Sequence, residues 1–135
     1  MPVKVLSALL LSLSLCLPAW ADEAKKDAPQ TYYHNLVPAL IGNLADTGKR
    51  LRFFKADVAL RVSGSEAEAR VKHHEPLIRH QLVLLFSAQT SDTINAPEGR
   101  ETLRQEALAQ VQQAISAEEG SPVVEDLLFN NLIIQ

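Results

Sequence analysis

Cysteine is nearly absent from this chain: the single thiol of its 135 residues is Cys16. That excludes an internal disulfide and any cysteine-based metal cage. Aromatic residues make up only 5 % of the sequence, and glycine occurs five times, always singly, at positions 42, 48, 64, 99 and 120. Isolated glycines are turn residues; they do not build the glycine-rich loop that cradles a phosphate. No GxSxG or HExxH motif is present. The charge balance lacks a strong sign, at −3 with 21 % charged residues, and no long basic block supplies the cationic stripe of a nucleic-acid binder. What is present is apolar content, 47 % of the residues, interspersed with both signs of charge, which is the composition of one packed domain and not of a disordered chain.

Residues 1–21 read as a secretory signal peptide. Lys4 is the positive start, residues 5–17 are an apolar run interrupted only by serines, and Pro18 precedes the small-residue pattern Ala19-Trp20-Ala21. The run falls short of the roughly 20 residues of a membrane span. Leu15 before Cys16 is too large for a lipidation motif. Export to the periplasm with cleavage before Asp22 follows as the expectation, then a flexible tether over residues 22–34 and a single domain over residues 35–135.

Within that domain, residues 32–44 predict a short, irregular edge strand because Pro38 and Gly42 disfavour a helix. Residues 50–62 alternate with period two. Phe54, Ala56, Val58, Leu60 and Val62 form one face; Lys55, Asp57 and Arg61 lie on the other. Ser65 with Glu68 has the pattern of a capping box opening a helix, and Pro76 predicts a break inside it. After a polar connection at residues 87–95, Asn95, Pro97 and Glu98 predict a second helix start. Leu103, Ala107, Val111 and Ile115 are its buried stripe, Arg100, Glu101, Arg104 and Gln112 its wet face, and Gly120 with Pro122 its end. Residues 123–135 predict a final strand. Strands and helices are segregated, so the expected fold is α+β: a small, mostly antiparallel sheet with two helices packed on one face.

Histidines 34, 73, 74 and 80 lack a metal-ligand spacing, since the Pro76 break lies between His73 and His80. The carboxylate pairs Glu66/Glu68, Glu118/Glu119 and Glu125/Asp126 fall at helix ends and loops, where unlike environments for acid–base work are not expected. The reading is a non-enzymatic chain with no cofactor and no metal. Its interaction surface is the polar strand face at Lys55, Asp57 and Arg61, and exposed strand edges offer a means of self-association.

Three stretches are more specific than composition. Pro76-Leu77-Ile78-Arg79-His80-Gln81-Leu82-Val83-Leu84-Leu85-Phe86-Ser87-Ala88-Gln89 is a helix that ends in a leucine-rich run followed by serine and glutamine. Asn95-Ala96-Pro97-Glu98-Gly99-Arg100-Glu101-Thr102-Leu103 opens the next one. Val124-Glu125-Asp126-Leu127-Leu128-Phe129-Asn130-Asn131-Leu132-Ile133-Ile134-Gln135 is the terminal strand. In this order they resemble the FliL family of flagellar basal-body-associated proteins, over residues 36–135. The resemblance implies a stomatin-like periplasmic domain without catalytic residues. It also implies homo-oligomeric rings or arcs around the motor stator, partnership with stator or basal-body proteins, and a part in motility. Family members carry an N-terminal transmembrane helix where this chain reads as a cleavable signal, so membrane association is expected through partners. The alternative function is a soluble periplasmic binding or scaffold module with an unrelated partner. A metal-dependent enzyme on His73, His74 and His80 is the third.

Overall fold

The computed structural model describes residues 29–135. The expected signal peptide, and residues 22–28 of the expected tether, lie outside the described residues. The chain order is β1 (Thr31–Asn35), β2 (Leu40–Asn43), β3 (Phe53–Ser63), α1 (Ser65–His73), α2 (Glu75–Ser87), α3 (Ser91–Asn95), α4 (Gly99–Glu119) and β4 (Val124–Ile134). The fold is α+β with an antiparallel sheet, as its segregated pattern predicts.

β3 is the central strand. β4 pairs with it from Phe54↔Ile134 to Val62↔Val124, so β1 and β2 share its other side, β1 against residues 59–63 and β2 against residues 53–56. The two are one edge strand interrupted between Leu36, whose N–H donates to Val58 O, and Leu40, opposite Ala56. Residues 37–39 bulge out over the single residue Asp57. Pro38 cannot donate to a ladder, and a bulge on an edge is where the chain can accommodate it. The tether expectation is corrected at its end: Thr31 to His34 are sheet residues, held because Tyr32 and His34 sit opposite Val62 and Leu60.

The helices cover the β3 face that carries Phe54, Ala56, Val58, Leu60 and Val62, each at most 1 % exposed. Val71, Ile78, Leu82, Phe86, Ile94, Leu103, Ala107, Val111 and Ile115 complete one core with Leu127 of β4. Phe86 is its aromatic centre, edge-on to Phe54 at 5.5 Å and to Phe129 at 5.8 Å between ring centroids.

Four helices stand where two were expected. Pro76 splits the first at His74, and its missing N–H falls in the first turn of α2, where no intrahelical partner is needed. α3 occupies the supposed polar connection because Ile94 is buried and Thr90 accepts a hydrogen bond from Thr93 N at 3.2 Å. The two expected caps are corrected as well. Gly64 N donates to Gln30 O, so sheet pairing reaches Gly64, which becomes the residue before α1 and places Ser65 inside the helix. Asn95 ends α3, and α4 starts at Gly99 after a left-handed Glu98. A Cβ on Gly99 would stand 2.1 Å from Thr93 O, so only glycine lets α4 begin this close to α3. Gly120, in left-handed conformation, ends α4 as its position predicts.

Candidate interaction surface

The helices cover one face of the sheet and leave the other open. Side chains alternate along a strand, so this open face is a set of rows read from the register. Asn43 and Phe53 form the first row, with Gln135 beside Phe53 through two backbone hydrogen bonds of 2.8 and 2.9 Å. Ile41, Lys55 and Ile133 form the second. Asp57 and Asn131, then Asn35, Ala59 and Leu128, then Tyr33, Arg61 and Asp126 continue it.

Lys55, Asp57 and Arg61 therefore share this face, as their spacing requires, but their surroundings differ. Lys55 is exposed between two isoleucines. Asp57 is half-buried under the bulge. Arg61 lies 3.5 Å from Glu125 and 3.8 Å from Asp126, in half-exposed pairs worth at most about 1 kcal/mol. Ala59 belongs to the same face yet is only 3 % exposed. Asn130 Nδ2 donates to Asn35 Oδ1 at 3.1 Å, a bridge between the two outer strands that spans the β3 column where Ala59 lies. A small side chain fits there.

The edges are not equivalent either. Leu132, Leu127 and Val124 of β4 turn their carbonyls away from β3, and α4 supplies a donor to each. Arg100 Nη1 reaches Leu132 O at 2.7 Å, Arg104 Nη1 reaches Leu127 O at 3.1 Å, and Gln112 Nε2 reaches Val124 O at 2.9 Å. These three residues were expected to face water; Arg100 is exposed and Arg104 and Gln112 are half-buried, and all three also bond β4 and so close its edge to an added strand. Arg104 also donates to Asp126 at 2.7 Å and to both oxygens of Glu101. The Arg104 hydrogen bonds, and then one from Gln105, pull the Glu101 carboxyl down to about 2, and the same pairing raises Arg104. The opposite edge is broken by the bulge at residues 37–39. Simple edge pairing is thus a poor means of association for this sheet, whereas Tyr33, Ile41, Phe53 and Ile133 on the open face are exposed among the described residues.

Two of the four histidines tie elements of the fold together. His34 Nε2 lies 2.9 Å from Glu75, tying β1 to α2, and His74 Nε2 lies 2.7 Å from Glu119, tying the α1–α2 junction to the end of α4. Glu119, at the end of α4, is a half-buried acceptor. His73 and His80 are exposed, and among the described residues no group of three or more metal-ligating side chains converges. A cleft of 130 Å³ lies between Ile41, Phe53, Lys55 and Ile133, well below the roughly 300–1,000 Å³ of a small-molecule site.

The family model for the flagellar basal body-associated protein FliL matches residues 33–135. The chain belongs to the FliL family. It is 32 % identical over 102 residues to the flagellar protein FliL of Aquifex aeolicus (strain VF5), a match that covers 76 % of this chain and 60 % of that relative. The matched FliL segment takes in all but the first two residues of β1, the whole helical layer and β4, so the family's pattern is this sheet and its covering layer. Among the described residues no helix is long and apolar enough to cross a membrane.

Proposed function

We propose that this FliL-family chain is a non-enzymatic accessory of the flagellar basal body. In this reading it is exported to the periplasm, assembles with copies of itself and supports the motor stator in motility. Family membership over residues 33–135 is the observation that carries the reading. The open sheet face supports the assembly part. It offers Asp57, Arg61, Tyr33, Asn35 and Asn131 as a polar, hydrogen-bonding area and Lys55 at its border with an apolar one, while the β4 edge is closed by α4. A non-obligate interface of this mixed kind suits subunits that join and leave a working machine.

The test is motility of an in-frame deletion strain, in soft agar and in viscous medium, with the intact gene returned on a plasmid. A complemented loss that deepens with viscosity is the expected result. Unchanged swimming in both media would refute a role in the motor and leave a periplasmic binding or scaffold module with another partner.

A further inference from the structure

The open face has one end unlike the rest. Four of the chain's 13 basic residues, Lys49, Arg50, Arg52 and Lys55, fall within residues 49–55, and no acid falls among them, although the whole chain carries a net charge of −3. All four are exposed, and none is ion-paired among the described residues. Interleaved with them are apolar side chains that the fold leaves in water: Leu51 is 73 % exposed, Ile41 64 %, Phe53 44 % and Ile133 36 %. Register gathers part of this set, with Ile41, Lys55 and Ile133 in one row and Phe53 in the row beside it, while Leu51 and the other three cations lie on the chain leading into β3. A Cβ placed on Gly48 would have nothing within 4 Å, so the chain is open on that side just before the first of these cations.

Asp46, Asp57 and Asp92 are the acids nearest in the fold, and none of them is ion-paired with these four cations among the described residues. Asp46 is engaged with Ser91, accepting from its N–H at 3.0 Å and its hydroxyl at 2.8 Å. Asp57 lies one row further along the face and Asp92 on α3.

We propose that this end of the sheet docks on an anionic phospholipid surface. A bilayer interface takes apolar side chains at the acyl boundary and cations at the phosphates, which is the arrangement of Leu51, Phe53 and Ile41 among Lys49, Arg50, Arg52 and Lys55. A nucleic acid would match the charge but leave the exposed aliphatic side chains unpartnered. The lipid contact adds to the basal-body reading and does not depend on it.

The test uses the purified full chain with vesicles of phosphatidylcholine alone and of phosphatidylcholine with phosphatidylglycerol. Binding to the anionic vesicles that falls with added salt is expected. Arg50→Gln with Arg52→Gln lowers the partition coefficient about 25-fold, at about fivefold per cation, and Leu51→Ser lowers it by a similar order. These side chains lie outside the core, and an unchanged melting temperature checks that each variant is folded. The apolar run at residues 5–17 is common to parent and variants, so only the difference between them is read. Leu51→Trp reports depth: its fluorescence shifts to the blue and is quenched by brominated lipid, beyond any signal of the parent, whose only tryptophan is Trp20. Equal binding by parent and both charge and apolar variants overturns the proposal, as does a parent that ignores anionic vesicles. Absence of vesicle binding together with photo-cross-linking from position 51 to an acidic protein overturns it in favour of a protein partner.

Discussion

Arg104→Met is the substitution that tests most directly how α4 holds the sheet. Methionine keeps an unbranched apolar stem of similar reach and removes every donor. Three contacts disappear: the 3.1 Å bond to Leu127 O, the 2.7 Å bond to Asp126 Oδ1 and the bidentate pair with Glu101. The Glu101 pair is at the surface, where solvent screens it, and its loss contributes little. Asp126 keeps a bond from Leu127 N at 2.8 Å and the nearby Arg61, so its loss is partial. The β4 carbonyl loses a charged donor, a contact of about 1.5–3 kcal/mol. The expected destabilisation is about 2–3 kcal/mol, roughly 10 °C in melting temperature for a domain of this size. Urea unfolding followed by circular dichroism measures it, with the slope unchanged and the midpoint lowered. Because the β4 edge is then less closed, sedimentation velocity of the variant should also show more concentration-dependent aggregation than the parent. A midpoint within experimental error of the parent would mean that the edge bonds are replaced by water without cost, and the argument that α4 closes the edge would fail.

Gly99→Ala should lower stability by about 1–3 kcal/mol, because its methyl group meets Thr93 O at 2.1 Å and α3 must move away; calorimetry checks this, and a neutral result would show that α3 yields freely. Phe86→Ala should cost about 3–5 kcal/mol in urea unfolding, since the ring is 1 % exposed between Phe54 and Phe129. The third perturbation is pH. The Glu101 carboxyl lies near 2 in the folded state against about 4.3 unfolded. Its stabilising effect is thus fully present above the unfolded value and is lost as pH falls through the folded one. The stability gap between the parent and Glu101→Gln should be constant near neutrality, shrink between about pH 5 and pH 2, and narrow in high salt because the carboxylate is exposed. A gap independent of pH would contradict the pairing with Arg104.

Several features of this fold are legible in the sequence because their causes are local. Alternation over residues 54–62 assigns β3 and its buried face, since one pleated strand shows its two faces directly. Pro76 marks the α1–α2 break through its missing N–H, and Gly120 marks the end of α4 through its left-handed conformation. The ordered motifs at residues 76–89, 95–103 and 124–135 point to the FliL family without any structure. The capping expectations failed where a distant strand intervened: Gly64 pairs with Gln30, and that bond moves the start of α1 by one residue. Short elements such as β1 and α3 have too few residues for a period to emerge.

Local pattern is enough to show where the chain turns and which face of β3 is buried, because those depend on neighbours a few positions apart. It does not show that Arg100, Arg104 and Gln112 bond β4, that His74 meets Glu119, or that Ile41, Phe53 and Ile133 gather at the end of the sheet next to residues 49–55. Each of these juxtaposes side chains from strands or helices distant along the chain, and such a meeting follows from register and packing, which no local pattern encodes.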